Sequence, residues 1–434
     1  MRADVIACGS DEIVNIRANP ILMSYAKTLV ACLAVFGVAL SLAGAGAYWL
    51  PAGIGFVAVL ICVLAALAAL TLVCASAVVI LRYRRAQRGE RDLFLELNRS
   101  REPAAIETAA PTHISRMRRW LAQHVLGHDF VVGDLVEIKT LDEIRTTINE
   151  QGCLEELPFM PEMLAMCGRR AYVYRCIHRL FDYRKSRRMR HMDGAVLLAG
   201  ALCNGSSHGG CQAACQTIWK PAWLRRVDQN VDTSAVSRPS NDPNQADTAV
   251  LQFSTHAPRF ICQLTQLHAA SRPIGKWSPI NFFRPLIAGN VTPAVFVIGW
   301  LTHLFNELQH YRQGVGFPAF EVPERDVEAS ARTRLQAGDR VIVRSSAEVR
   351  ATLSDQLLHR GLWFDPDMLK HCGHRYCVQA EIKSLIDIVT GEMRTMKTPA
   401  YILRDVTFSG ERQLFNAQHE PLFWRDAWLR RDGD

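Results

Sequence analysis

The sequence predicts an N-terminal two-helix transmembrane hairpin, followed by a mainly β (α+β) body with two tandem, small, barrel-like domains of the Src-homology-3 kind. Three observations predict this fold class. Two long apolar segments stand near the N-terminus, one pattern occurs twice at an offset of 205 residues, and each copy consists of short strand patterns with one or two helical turns. A chain of 434 residues has room for these units.

The two apolar segments come first along the chain. Residues 28–50 and 51–81 contain no charged residue. Each can cross a hydrocarbon core of ~30 Å, for which about 20 apolar residues suffice. Between them, "YWLPAG" combines interfacial aromatic residues with a proline-glycine turn. We therefore expect a helical hairpin over residues 28–81, after a cytosolic segment over residues 1–27, rather than a cleaved signal peptide.

Five arginines directly after the second segment indicate the orientation. Because basic residues stay on the cytoplasmic side, we expect both termini and the main domains in the cytosol, at the inner (cytoplasmic) membrane. The connector over residues 82–131 is basic, and these arginines are expected to contact anionic headgroups: Arg82, Arg84, Arg85, Arg88 and Arg91. In that reducing compartment the 13 cysteines are thiols or metal ligands rather than disulfides.

The repeat extends over most of the C-terminal body. The stretch that begins "VGDLVEIKTLDEIRTTI" at Val132 aligns without a gap with the one that begins "AGDRVIVRSSAEVRATL" at Ala337, and about 27 of 95 aligned positions are identical. A period this long indicates two duplicated domains rather than a solenoid of short units. We therefore expect a first barrel-like repeat over residues 132–227 and a second over residues 337–434.

Each copy predicts the same order of elements. A Gly-Asp turn leads into an alternating strand, Leu135–Lys139 or Arg340–Arg344, and a short amphipathic helix follows. Pro161 or Pro366 then opens a second short helix, a glycine ends it, and further strands complete the copy. Four tryptophans are expected in the cores of the two copies: Trp219, Trp223, Trp424 and Trp428.

The connection between the copies has two parts. Residues 228–248 are rich in Pro, Ser, Asn and Asp, which predicts an exposed polar linker. Residues 249–336 form a middle region in which Pro293–Arg312 has a helical apolar pattern. Its uncharged part is too short for a dependable third span, so we interpret this segment as a buried or interfacial amphipathic helix.

The repeated pattern "GD.V", "EI..TL", "F.PEML..CG" and "W..AWL" resembles a family of bacterial membrane-anchored proteins that have no established activity. The resemblance covers Val132 to Arg431 and includes the middle motifs "CQLTQL" (Cys262–Leu267) and "GNVT" (Gly289–Thr292). In members of that family the second repeat also carries cysteines near its end. Here it carries none, so the resemblance implies no second cysteine site in this chain.

The segment "CNGSSHGGCQAAC" at Cys203–Cys215 has the composition of a metal loop. It combines three cysteines and a histidine with glycine-rich turns that allow the thiolates to converge, and zinc takes four such ligands in a tetrahedron. Four thiolates would equally suit an iron–sulfur cluster. The candidate ligands, with His208 or Cys262 as the fourth, are these: Cys203, His208, Cys211, Cys215 and Cys262.

The second copy serves as an internal control for this segment. The four local candidates are all replaced there, by Phe408, Gln413, Asn416 and Glu420. A set that is lost as a unit behaves like a site, because a partial site binds nothing. Glu162, by contrast, recurs as Asp367, and the preference for an acid in the first turn of a helix accounts for both.

Together these observations favour a membrane-anchored cytosolic interaction or scaffold protein without enzymatic activity, whose partners are the lipid bilayer and an unidentified protein. The alternative is a metal- or iron–sulfur-dependent enzyme or redox protein that uses the segment Cys203–Cys215. A further alternative is a nucleic-acid-binding barrel. The net charge of +8 is too mild to favour nucleic acid as a partner, and the sequence lacks an interleaved basic and aromatic surface.

Overall fold

A computed structural model describes residues 19–49, 52–101, 116–182, 185–186, 188–227, 258–274, 280–320, 334–413 and 415–433. The predicted polar linker at residues 228–248 lies outside the described residues. Residues 1–18 of the predicted N-terminal segment also lie outside them. The described helices are α1 (Pro20–Trp49), α2 (Ala52–Gln87), α3 (Leu93–Leu97), α4 (Arg116–Leu126), α5 (Leu141–Arg145), α6 (Gln263–Gln266), α7 (Ile280–Ile287), α8 (Pro293–Tyr311) and α9 (Ser346–Ala351).

Helices α1 and α2 form the expected pair of apolar N-terminal helices. Their segments Pro20–Leu42 and Val59–Gln87 are long and apolar enough to cross a membrane. The helices extend further than the apolar segments alone indicate, because α1 starts at Pro20 and α2 continues through the first arginines to Gln87. Length and hydropathy therefore predict the existence of these helices better than their ends.

The polar end of the hairpin packs on α8, the helix predicted in the middle region. Tyr25 makes edge-to-face contacts with Tyr83 and Phe305, with ring centroids 5.6 and 5.1 Å apart. Gln309 Nε2 donates a hydrogen bond to Thr28 Oγ1 at 2.9 Å. Among the described residues only α1 and α2 qualify as membrane spans, and α8 buries one face against them, in agreement with its interpretation as a buried or interfacial helix.

Arg82 does not face the membrane surface, which corrects its predicted role as a headgroup contact. Its side chain is 0% exposed, and its guanidinium forms ion pairs with Asp92, at 2.9 Å, and with Glu411 of the second copy. Lys370 Nζ joins the same group, 2.7 Å from Glu411 Oε2. A buried arginine needs such partners, because an unpaired charge in the interior is very costly.

The other four arginines of the predicted headgroup contact are distributed differently. Arg84 and Arg88 are exposed, as that prediction requires. Arg85 pairs with Glu96 at 2.6 Å, and Arg91 lines a cavity inside the body. Contact with lipid therefore remains a prediction for Arg84 and Arg88.

The body is rich in β-strands. The first copy and its neighbours contain β1 (Leu135–Ile138), β2 (Cys153–Leu154), β3 (Leu157–Pro158), β4 (Arg170–Cys176), β5 (Leu180–Phe181), β6 (Met189–His191), β7 (Val196–Leu202), β8 (Gln216–Trp219), β9 (Leu224–Arg226) and β10 (Arg272–Pro273). The second copy contains β11 (Arg340–Val343), β12 (Leu358–His359), β13 (Leu362–Trp363), β14 (Arg375–Ile386), β15 (Met393–Thr407), β16 (Pro421–Trp424) and β17 (Leu429–Arg431).

The two main sheets have the same topology. One has the strand order β8-β7-β4-β1-β9 and the other β16-β15-β14-β11-β17. Their registers also correspond at the 205-residue offset: Leu135 faces Tyr172 where Arg340 faces Cys377. The four predicted core tryptophans are fully buried. The β-rich body is confirmed, and closure of each sheet into a barrel of the Src-homology-3 kind stays a prediction.

Candidate metal centre

The candidate centre is built on the loop between β7 and β8, formed by residues 203–215. The amide of Cys203 donates a hydrogen bond to the carbonyl oxygen of Cys215 at 2.8 Å, so the two ends of the loop are held together. Gly205 lies at φ +71°, and a Cβ at that position would collide with the carbonyl oxygen of Cys211. Glycine is therefore required in the turn that brings His208 back to Cys203.

His208 lies between a thiol and a carboxylate. Its Nε2 is 3.5 Å from Cys203 Sγ, and its Nδ1 is 3.0 Å from Glu162 Oε1. Ser207 holds that carboxylate in place, because its amide and its hydroxyl both donate to Glu162 Oε1, at 2.9 and 2.7 Å. The imidazole is only 2% exposed. One potential ligand atom from each of Glu162, Cys203 and His208 lies within 4.8 Å of the others.

Hydrogen-bond acceptors converge on this imidazole and favour positive charge there. Burial alone lowers the pKa of His208, but hydrogen bonds to Cys203, Cys211 and Glu162 raise that pKa to about 12. Burial raises the pKa of Glu162, and hydrogen bonds from His208 and Ser207 bring it down to about 2. A zinc ion at Nε2 would displace the proton of that nitrogen and take the place of its positive charge, because a ligating histidine must be neutral.

The donor set fits a zinc ion. Zinc binds thiolate, imidazole and carboxylate, and its tetrahedral geometry separates a bound sulfur from a bound nitrogen by about 3.6 Å. The observed separation between Cys203 Sγ and His208 Nε2 is 3.5 Å. Glu162 faces the other ring nitrogen, where a carboxylate orients a metal-binding imidazole and keeps its proton on Nδ1. Cys203 and His208 are therefore suited to be ligands, with Glu162 positioning His208.

All five sequence-predicted ligands line one cavity of about 630 Å³ between the two copies. Two of them, Cys203 and His208, belong to the compact group of three, and among the described residues the other three sulfur atoms lie outside it. His208, rather than Cys262, is therefore the fourth-ligand candidate that the structure brings to Cys203.

The other three cysteines lie in different parts of the cavity wall. Cys211 is hydrogen-bonded to His208, which lowers the pKa of its thiol against the opposing effect of burial. Burial raises the pKa of Cys215 and of Cys262. Glu420 of the second copy hydrogen-bonds Cys215, and burial raises the pKa of this carboxyl to about 7. Cys211 is thus the thiol best placed to join Cys203 and His208.

The loop also contacts the second copy directly. The backbone amide of Gln212 donates to Ser384 O at 3.0 Å. The side-chain Oε1 of Gln212 accepts from the backbone amides of Lys383 and Ser384 at 2.7 and 3.1 Å. The amide of Ile386 donates to Cys211 Sγ at 3.4 Å. The candidate ligand loop therefore lies along β14, and its conformation affects how the two copies are joined.

The second copy keeps the loop and lacks the ligands. Gly410 has φ +72°, as Gly205 has φ +71°, and a Cβ there would collide with Asn416 O. Asp367 occupies the place of Glu162 and also reaches its loop, where Ser409 N donates to Asp367 Oδ2 at 2.8 Å. The same backbone therefore supports two different side-chain sets, and one of them can hold a metal.

Sequence reasoning missed the role of Glu162. The sequence predicts this acid in the first turn of a short helix, and it does lie there, in the 3₁₀ helix Pro161–Met166. Its carboxylate nevertheless points to the cysteine loop, 45 residues away along the chain. The recurrence of an acid at this position in both copies was the available signal.

Comparison with known proteins supplies no relative: no family model, no curated protein and no solved structure matches the chain.

Proposed function

We propose that this chain is a membrane-anchored scaffold whose first β-rich copy binds one zinc ion through Cys203, His208 and Cys211, with a further cavity residue as the fourth ligand. One observation carries the proposal: the thiol and the imidazole nitrogen are separated by 3.5 Å, the spacing of two zinc ligands, while a buried carboxylate holds the other ring nitrogen. The ion would cross-link the loop of residues 203–215, which has no disulfide.

The position of the loop supports a structural role for the ion. Gln212 lies next to Cys211 and makes three hydrogen bonds to β14 of the second copy. Because metal binding is coupled to ordering of the ligand loop, the ion would also stabilise the junction between the two copies. A rigid pair of related modules at the inner membrane surface suits recruitment of a protein partner there.

Metal analysis of the full chain, purified in mild detergent without chelator, tests the proposal. We expect one zinc ion per chain, and we expect Cys203→Ser to abolish stoichiometric binding. Cys372→Ser is the matched control, since this cysteine of the second copy does not line the cavity. Iron with visible absorbance would favour the iron–sulfur alternative. Metal far below one ion per chain, or equal metal in wild type and Cys203→Ser, would refute the site.

A second candidate function is covalent catalysis by Cys203. The order thiol, imidazole, carboxylate is also the arrangement that activates a nucleophile, and a cavity of about 630 Å³ adjoins the thiol. In metal-free protein this candidate requires that iodoacetamide alkylates Cys203 faster than Cys377, and that Glu162→Gln slows the reaction. Tightly bound stoichiometric zinc would exclude covalent catalysis, because the sulfur of Cys203 would then be a metal ligand and not a free nucleophile.

A further inference from the structure

Helix α8 runs beside α1 and in the same direction. Phe305 contacts Tyr25, with ring centroids 5.1 Å apart, and one turn further along both helices Gln309 Nε2 donates to Thr28 Oγ1 at 2.9 Å. Because both helices advance together from the first contact to the second, the C-terminal end of α8 points along α1 towards the apolar middle of the hairpin.

The chain reverses directly after α8, in a segment of residues 311–315 that we call the tip. Helix α8 ends at Tyr311, and Gln313 adopts a left-handed φ of +55°. Gly316 is back beside the start of α1, because Tyr25 Oη donates to its carbonyl oxygen at 2.9 Å. The tip therefore lies further along α1 than either contact of α8.

Aromatic, aliphatic and basic side chains meet at this level of the hairpin. All five residues of the tip are exposed, Tyr311 at 88% and Val315 at 41%. Arg312 provides one positive charge, and the exposed Lys27 of α1 provides a second. The tip has no acidic residue, and the one acid of α8, Glu307, lies more than a turn earlier. This combination is typical of side chains at the surface of a membrane.

The length of α1 places the membrane surface at the same level. The helix has 30 residues, which rise about 45 Å, whereas a hydrocarbon core is about 30 Å thick. Its first turns are buried in the body, where Ile21, Leu22 and Tyr25 belong to one apolar cluster. Residues 30–49 rise about 30 Å and suffice to cross the core. In the part of this stretch whose side chains are described, the exposed large apolar residues are these: Val30, Leu33, Val35, Val38, Leu40 and Leu42.

Helix α2 gives the same boundary. Ala75 and Tyr83 are buried in the same cluster as the start of α1, whereas Leu67 and Leu70 are exposed. Residues 52–71 rise about 30 Å, which again matches the hydrocarbon core. The two helices therefore leave the body at one level, and the tip lies at that level.

We propose that the tip contacts the headgroup layer of the bilayer on the cytosolic side. Tyr311 and Val315 lie at the edge of the hydrocarbon core, and Arg312 and Lys27 bind the phosphates of anionic lipids. Long basic side chains can reach the headgroups while their stems cover apolar surface. This inference rests on the membrane anchor of the proposed function and does not depend on zinc.

The proposal assigns the headgroup contact to the tip in place of Arg84 and Arg88. Arg84 follows residue 71 by 13 positions on α2, which is a rise of about 20 Å beyond the core. The headgroup layer adds only about 5–8 Å on each side of the core. These two arginines would therefore lie too far above the membrane to bind its headgroups.

Photo-crosslinking of the full-length protein tests the contact, in nanodiscs of phosphatidylglycerol and phosphatidylcholine in equal amounts. The photoreactive residue p-benzoylphenylalanine replaces one residue at a time, and mass spectrometry detects the lipid adducts. We expect adducts at the position of Tyr311, which is exposed and tolerates replacement. The position of Leu33, exposed on the candidate span, reports the anchor itself. The position of Gln87, at the exposed end of α2, is the control that should give few adducts.

The outcomes separate this contact from the anchor. Adducts at Leu33, together with a yield at Tyr311 no higher than at Gln87, would overturn the contact and leave the anchor intact. An absence of adducts at Leu33 would refute the anchor and this inference with it.

The charge of Arg312 is tested in the same nanodiscs with the photoreactive residue at position 311. We expect phosphatidylglycerol adducts to predominate, and we expect Arg312→Gln to lower their ratio to phosphatidylcholine adducts about fivefold. Arg430→Gln, at an exposed arginine of β17, should leave the ratio unchanged. Equal ratios in the two variants would overturn the assignment of anionic headgroups to the tip.

Discussion

His208 is the residue on which the metal site depends, and Glu162 determines how it acts. With its Nδ1 held 3.0 Å from the carboxylate, the imidazole presents Nε2 to Cys203. Removing the carboxylate would leave the ring free to rotate and to change tautomer. The position of the proton is therefore a property of the pair rather than of the histidine alone.

Glu162→Gln should accordingly weaken zinc binding without abolishing it. Partners that orient a ligating histidine typically contribute 10- to about 100-fold in metal affinity, and we expect a loss in that range. Competition with a chromophoric chelator measures it. Glu150→Gln, at an exposed glutamate outside the cavity, is the control. Unchanged affinity in Glu162→Gln would show that this carboxylate does not position the ligand.

The carboxylate of Glu411 makes the stability of the fold depend on pH. Burial alone would raise the pKa of Glu411, but the charges of Arg82 and Lys370 lower it to about 2, from an ordinary value of 4.5. Because the folded-state pKa is depressed, this carboxylate stabilises the fold above about pH 4.5, and the contribution is lost as pH falls from there towards 2.

Glu411→Gln should therefore lower the free energy of unfolding by about 3 kcal/mol at pH 7, because it removes the carboxylate that Arg82 and Lys370 share and leaves each buried cation with one acidic partner, Asp92 or Asp367. The difference from wild type should shrink as the pH falls from about 4.5 towards 2, as measured by thermal unfolding in detergent. Glu392→Gln, at an exposed glutamate, is the control. A difference that does not vary with pH would mean that Glu411 is not the titrating partner of this ion cluster.

Among the elements, the cysteine loop and β14 form a junction between the two copies, and Gln212 makes the contact. Gln212 Oε1 accepts from two amides of β14, Lys383 N and Ser384 N. Gln212→Ala should cost about 1–2 kcal/mol of unfolding free energy, since each hydrogen bond contributes about 1 kcal/mol. Gln212→Glu keeps an acceptor and should cost less. Chemical denaturation of both variants measures the free energy of unfolding. Equal stability of Gln212→Ala and wild type would show that this contact does not stabilise the junction between the two copies.

The elements show where sequence reasoning succeeds and where it ends. The strand expected at Leu135–Lys139 is present as β1 (Leu135–Ile138), because local alternation of apolar residues predicts it. The helix expected at Pro293–Arg312 is present as α8 (Pro293–Tyr311), because helical periodicity predicts it. The contact of the cysteine loop with β14 has no local signal. It depends on how two complete sheets pack, which periodicity within either one does not encode.

The candidate site likewise has a part that the local sequence predicts and a part that depends on tertiary contacts. The spacing of cysteines and glycines identifies Cys203 and His208, because the turn at Gly205 is local. The approach of Glu162 to that loop is a tertiary contact, and so is the burial of Arg82 by residues of the second copy. Charge near an apolar segment predicts a membrane-surface role for arginines, but a folded body above the membrane can bind them instead.

For the whole molecule, the arrangement of the hairpin ends supports a definite topology. Asn19, just before α1, donates from its Nδ2 to Tyr83 Oη near the end of α2, at 2.9 Å, so the two ends lie on the same side. The exposed arginines Arg84 and Arg88 favour the cytosol for that side. We expect reporters fused before Met1 and after Asp434 to be cytosolic. Periplasmic activity of either reporter would contradict the hairpin topology.

In the proposed metal centre, a zinc ion bound by sulfur and imidazole closes the loop of the first copy. X-ray absorption spectroscopy at the zinc edge, on full-length protein that retains its own metal, tests it most directly. We expect a mixed first shell, with sulfur at about 2.3 Å and nitrogen at about 2.0–2.1 Å, together with imidazole outer-shell scattering that His208→Ala removes. A shell of oxygen and nitrogen alone, or an unchanged spectrum in His208→Ala, would show that Cys203 and His208 do not bind the ion.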